Sequence, residues 1–277
     1  MAVTTSQQIA EYFQQFQNVE VTFNSEVTRA IDLNTTQVFL KCLGRQWPCI
    51  VYSSSLAEAK VIVNTGGEFN ETVRKANNLV SLRYSFLQRD KSGPLAFFVA
   101  ARIGGFAPYG TQRPDLSFVT LTYTQRPPDD LIVILGQLLE ANINSTRRRE
   151  ERITMTADNA ARVGLRAKET IVEIAGVPRH CIIRDISFSG AKVIVLGIAK
   201  LLVDKPALLH LELEDPSEKL RIPGTVIRFE AVEGRSDIAA FAIRFDDQRV
   251  PMRYKLRITG YLKSTRKKSG GCDAATG

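Results

Sequence analysis

The chain repeats itself, and that limits its possible folds more than any other feature. Residues 49–63 and 181–195 align at an offset of 132. Cys49, Ile50, Ser55, Ala59, Lys60, Val61, Ile62 and Val63 meet identical residues at Cys181, Ile182, Ser187, Ala191, Lys192, Val193, Ile194 and Val195. Gly44 meets Gly176 at the same offset. Agreement resumes near the end of each half at an offset of 123. There Gln125-Arg126-Pro127-Pro128 meets Gln248-Arg249-Val250-Pro251, and an amphipathic stretch follows both. Two colinear matches imply two tandem copies of one unit, strands first and a helix last.

The repeated segments are rich in Val and Ile and alternate in polarity, as half-buried strands do. Short strands are expected from Val19 onward, through the runs at Val38, Cys49, Ala59, Leu79, Leu95 and Leu116, and again from Thr170 to Phe245. Many short strands at this spacing indicate a small β-barrel in each half. Ile9, Phe13 and Phe16 place a helix over residues 6–16, and Asp129 to Asn144 carries a Leu/Ile stripe expected to form a helical linker. A last helix is expected over residues 252–262. Residues 263–277, basic and containing Gly and Ser, read as a disordered tail.

Composition narrows the class. With 277 residues, 44% apolar and 24% charged, this is a chain for two ordinary globular domains. No apolar run reaches membrane-spanning length, and the N-terminus lacks the basic-then-apolar layout of a signal peptide, so a cytoplasmic location is expected. Cys42, Cys49, Cys181 and Cys272 show no metal-ligand spacing and read as reduced thiols. There is no Gly-x-Ser-x-Gly, no phosphate-binding loop and only two His (His180, His210), so neither catalysis, a metal nor a cofactor is expected. Residues 1–140 hold 12 basic and 12 acidic side chains, so the whole net charge of +8 lies in the second half. An anionic partner is expected to meet that half.

Two polar clusters interrupt the strand pattern there. One is Arg147-Arg148-Arg149-Glu150-Glu151-Arg152, which contains an Arg-x-x-x-Arg pair, Arg148 and Arg152. The other is Asp185-x-Ser187-x-x-Gly190, set between two strand runs. Asp and Ser offer acceptors and a hydroxyl donor, while Gly permits close backbone approach. The first copy keeps the strand residues and loses these. Phe16 and Glu20 stand opposite Arg148 and Arg152, Ser53 opposite Asp185, and Glu58 opposite Gly190.

The two clusters, in this order and each at a strand edge, resemble the signature of the PilZ family, β-barrel receptors for cyclic di-GMP. The whole chain resembles the two-domain PilZ receptors of spirochaetes. The resemblance implies a mainly β fold of two PilZ-like barrels, each followed by a helix and joined by a helical linker. It implies a degenerate N-terminal barrel plus linker helix over residues 1–140 and a cyclic di-GMP-binding domain over 141–262. Ligand-binding residues would be Arg147, Arg148, Arg152, Asp185, Ser187 and Gly190. Ligand bound at the linker would reorient the domains and act on a protein partner, in motility and virulence.

The chemistry suits such a ligand. An Arg fork can grip phosphate or the guanine O6/N7 edge and stack on the base, and residues four apart share a helical face. Asp185 could accept from guanine N1–H and N2–H₂, and Ser187 could bond a base or phosphate. A rival pair, Arg162 and Arg166, also precedes Asp185. The alternative function is a basic nucleic-acid-binding protein, consistent with a pI near 9.4 and distinguishable by steep salt dependence.

Overall fold

The computed structural model describes residues 4–88, 93–196, 200–232 and 234–269. The chain divides into two units, Met1–Leu139 and Glu140–Gly277. In the first, the strands are β1 (Val21–Thr22), β2 (Phe39–Cys42), β3 (Arg45–Ser54), β4 (Glu58–Asn64), β5 (Leu79–Phe86), β6 (Leu95–Pro108) and β7 (Leu116–Tyr123). Strands β3, β2, β5, β6, β7 and β4 pair antiparallel in that order, and β4 pairs back to β3. The six strands therefore form a closed barrel with no free edge. Strand β1 adds only to the end of β3. Helices α1 (Ser6–Phe16), α2 (Ser25–Ala30) and α3 (Phe69–Lys75) complete the unit.

The second unit repeats this. Its strands are β8 (Ile153–Thr154), β9 (Glu169–Ile174), β10 (Val177–Ile186), β11 (Gly190–Leu196), β12 (Pro206–Leu213), β13 (Glu218–Val232) and β14 (Arg235–Phe245). The order β10, β9, β12, β13, β14, β11 closes through β11 onto β10, and β8 lies on the end of β10. Helix α4 (Asp129–Arg147) begins in the first unit and ends in the second. Helices α5 (Ala157–Val163) and α6 (Met252–Ser269) belong to the second.

The repeat extends to backbone detail. The β2–β3 turn puts Leu43 and Gly44 at φ 46° and 81°, and the β9–β10 turn puts Ala175 and Gly176 at 53° and 79°. Two successive left-handed residues match the twist of a tight hairpin, and Gly supplies the second at little steric cost. The β3–β4 ladder shifts register between Val51 and Ser53, and the β10–β11 ladder between Ile183 and Asp185. Both bulges sit 132 residues apart in the chain. The N-caps match as well: Asn24 accepts from Val27 N at 2.8 Å and Thr156 from Asn159 N at 3.1 Å. Side chains decide what fills the barrels. Val61, Leu82, Val119 and Leu121 are fully buried in the first, and Val172, Ile183, Leu209 and Phe241 in the second. Each such side chain contributes about 1.5–3 kcal/mol through burial.

Two expectations need correction at helix ends. Helix α4 runs three residues past Asn144, so Arg147 is its last residue. Helix α6 continues through Lys263 to Ser269, where a disordered tail was expected. Tyr254, Ile258, Tyr261 and Leu262 bury one face of α6 in the core. The next turn is held by Ser264 Oγ, which donates to Tyr261 O at 2.8 Å, by Arg162, which donates to Ser264 Oγ at 3.2 Å, and by a Lys263–Glu140 ion pair. Local composition missed these tertiary partners. Residues 270–277, the rest of the expected tail, and with them Cys272, lie outside the described residues.

Cys49 and Cys181 occupy equivalent inward positions, and burial pushes both thiols from 9.0 up to about 12. The folded barrels keep these thiols protonated where the unfolded chain would release the protons. Stability from this source is complete below about pH 9 and lost as pH rises toward 12. At pH 8 a thiol reagent should label neither residue in the native protein and both after unfolding, read by peptide mass. Rapid native labelling of Cys181 would contradict this packing.

Candidate functional site

The second unit's site is built around the two-residue strand β8. Helix α4 ends at Arg147, and a turn follows in which Arg148 N donates to Asn144 O (2.9 Å) and Glu151 N to Arg148 O (3.1 Å). Arg152 then leads into β8, whose register sets Ile153 against Ile186 and Thr154 against Asp185. That pairing brings Arg152 Nη1 onto Asp185 Oδ1 as an ion pair, half-exposed on the Arg side. The expectation that Arg148 and Arg152 share a helical face does not hold, because the helix has ended before Arg148. Strand pairing places Arg152 instead.

The turn between β10 and β11 is closed by its own groups. Ser187 N donates to Gly190 O at 2.8 Å, and Gly190 N donates to Ser187 Oγ at 3.2 Å. Ser187 is 0% exposed, and Tyr254 OH donates to its carbonyl oxygen at 2.7 Å. Burial raises the Tyr254 hydroxyl well above the usual range, so it stays a donor. The first barrel provides a control. There Ser55 N donates to Glu58 O at 2.8 Å, and Glu58 N donates to Ser55 Oγ at 3.0 Å. The serine staples the same turn in a copy without the Asp and Gly, so its hydroxyl serves the fold in both. Gly190 likewise has a packing role. A Cβ there would collide with the carbonyl oxygen of Ile243 on β14.

Sequence reasoning passed over the residues between the two motif arginines. Arg149 pairs with Asp247 at 2.5 Å, Ser189 Oγ donates to Glu150 Oε1 at 2.8 Å, and Ser189 N donates to Arg149 O at 3.3 Å. These straps fasten the segment over the Ser187–Gly190 turn. A similar backbone strap holds the first barrel, where Leu56 N donates to Gln17 O at 3.2 Å, from one residue before the position equivalent to Ser189. The ion pair has no counterpart there, since Gln17 stands at the position of Arg149.

Arg147 is exposed and Arg148 half-buried, and neither guanidinium meets a side-chain partner among the described residues. Two strong fork donors are thus left beside a carboxylate-paired third. The rival pair is engaged elsewhere. The Arg162 guanidinium sits 4.9 Å from the Tyr261 ring centroid, and Arg166 donates to Glu212 Oε1 at 3.0 Å. His210 Nε2 meets Glu173 Oε1 at 2.7 Å on the outside of β12 and β9. Among the described residues no group of His, Cys, Asp and Glu could hold a metal ion.

The PilZN3 domain family matches residues 7–142, and the PilZ domain family matches residues 146–262. A cyclic di-GMP binding protein of Treponema denticola is 42% identical over 267 residues, covering 96% of this chain and 85% of that protein. Among solved structures, PlzA of Borreliella burgdorferi in complex with c-di-GMP is 21% identical at a TM-score of 0.43, covering 92% of this chain and 98% of that one. YcgR of Escherichia coli in complex with c-di-GMP is 12% identical at a TM-score of 0.31, covering 96% and 95%.

The packing separates structural motif residues from spare ones. Gly190→Ala should lower the stability of the second barrel by about 1–3 kcal/mol through overpacking. Arg148→Ala should change it by less than about 0.5 kcal/mol. Chemical denaturation of the two variants measures both, and equal stability of Gly190→Ala and the parent would contradict the close approach of β11 to β14.

Proposed function

Since the chain belongs to the PilZ family, with a PilZN3 domain ahead of its PilZ domain, we propose that it is a non-enzymatic receptor for cyclic di-GMP. The observation that carries this is the meeting of Arg152 with Asp185, with two neighbouring arginines in the chain, Arg147 and Arg148, that have no side-chain partner among the described residues. Arg148 and Arg152 would grip phosphate or the guanine O6/N7 edge and stack on the base. Arg147, at the helix end, would add a third cation. Asp185 would brace Arg152 or accept from the guanine N1–H and N2–H₂ groups. Ser187 and Gly190 would act by holding the turn in shape rather than by touching the ligand.

The output follows from where the arginines are. They run from the last residue of α4 to the start of β8, so ligand that gathers them onto the β10–β11 turn would fix the path of that helix as it leaves the barrel. A ligand shifts such an equilibrium only through contacts made in one state and not the other, and Arg147 and Arg148 supply that difference. The helix would pass the change to the first unit and to a protein partner, in control of motility. A cytoplasmic location suits a nucleotide messenger.

Charge-assisted hydrogen bonds contribute roughly 1.5–3 kcal/mol each, so loss of one arginine should weaken binding about tenfold or more. Isothermal titration with cyclic di-GMP should show binding to the parent and at least about a hundredfold loss for Arg148→Ala/Arg152→Ala. Equal heats from both proteins would overturn the assignment. Scattering profiles with and without ligand test the output step, and identical profiles would remove it.

A further inference from the structure

Cyclic di-GMP has two guanines and two phosphates, more than Arg148, Arg152 and Asp185 can cover. The barrel wall continues the same face beyond Asp185, and that wall is unusual. Lys192 on β11 stands directly across the ladder from Asp185 and, on its other side, across from Ala242 of β14. Its ammonium does not stop at β14. It pairs with Glu230 on β13, one strand further on. The reach is possible because β14 presents only Ala240 and Ala242 between them, and both are buried, 2% and 6% exposed. Glu230 also takes Arg228 at 2.7 Å, and its carboxyl is held below the ordinary value, first by the Lys192 hydrogen bond.

The first barrel shows that the barrel itself does not require this arrangement. Lys60 is kept at the position of Lys192, and no carboxylate pairs with it among the described residues. Register puts Phe118 and Thr120 where β14 has Ala240 and Ala242. It puts Ala107 and Gly105 where β13 has Glu230 and Arg228. Phe118 packs edge-on to Tyr52, with ring centroids 5.1 Å apart, and covers the wall. Among the described residues, an alanine floor with a lysine lying across it and a carboxylate holding that lysine occurs in the second barrel and not in the first.

Building on the receptor function proposed above, we propose that Lys192 is a further ligand-binding residue, a phosphate contact for the far half of the dinucleotide, and that Glu230 is the internal anion the phosphate displaces. When the ammonium swings from Glu230 to the ligand, the alanine floor is uncovered as a flat apolar seat for the second base. Glu230 thereby acts against binding, and a ligand with a single phosphate, engaged at Arg148 and Arg152, leaves Lys192 where it is.

Titration of the full chain with cyclic di-GMP tests this. Lys192→Met should weaken binding about tenfold or more, and Lys192→Arg should restore most of it. Glu230→Gln should tighten binding about two- to fivefold, since it frees a partly exposed ion pair. Binding by Lys192→Met should also fall less steeply with added salt than binding by the parent, since one charge–charge contact is gone. Should Lys192→Met fail to fold, Glu230→Gln decides alone, and unchanged or weaker binding there overturns the proposal. If Lys192→Met binds as the parent does while Arg152→Ala does not, this inference fails and the receptor reading stands. No binding by the parent sinks both.

Discussion

Two residues of backbone pairing organise the site. Strand β8 is only Ile153 and Thr154, yet its ladder to Ile186 and Asp185 fixes where the chain coming off helix α4 meets the barrel. A flexible linker would have to lose conformational freedom on every binding event, at about 1–2 kcal/mol per backbone residue fixed. Here the ladder has already ordered the segment, and Ile153 is buried at 2% exposure, so the register cannot slip by one without exposing it. Arg152 is thereby delivered to Asp185, while Arg147 and Arg148 have no side-chain partner among the described residues. The straps from Arg149 and Glu150 hold the same segment from its other side.

The tandem copies separate what a barrel needs from what a site needs. Both keep the left-handed hairpin turn, the bulge, the N-cap after the leading strand, the stapling serine and the backbone strap to the helix end. Only the second has the Arg152–Asp185 and Arg149–Asp247 pairs and the glycine that lets β11 approach β14. Charge follows the same division, since the excess of basic residues lies entirely after residue 140. The fold is thus present twice and the cationic surface once, as expected if one copy recognises an anion and the other serves another purpose.

Much of this was legible in the sequence. Strand periodicity and the repeat disclosed two barrels because inward residues such as Cys49, Val51, Cys181 and Ile183 alternate with outward ones. The clustered arginines and the Asp-x-Ser-x-x-Gly segment pointed to a candidate site because few contexts place so much polarity between β-branched runs, and the structure brings Arg152 and Asp185 of the two clusters together. The packing roles that local sequence does not show are those decided by partners distant in the chain. Nothing local says that the Ser187 hydroxyl is consumed within its own turn, although Ser55 in the first copy pointed that way. The close approach that Gly190 permits is to Ile243, more than fifty residues on, which no local pattern shows. Lys192 and Glu230 are joined only by a strand order that wraps β14 between β11 and β13. Helix α6 outran its apparent end because Arg162 and Glu140 support a turn whose composition looked unstructured.

On the proposed function, one of two similar barrels carries the binding surface. Amide-resolved NMR of the full chain during addition of cyclic di-GMP tests it most directly. Shifts should concentrate at residues 147–152 and 185–192, while the equivalent residues 15–20 and 53–60 keep their positions. Saturable shifts centred on 53–60, with 185–192 unmoved, would contradict it.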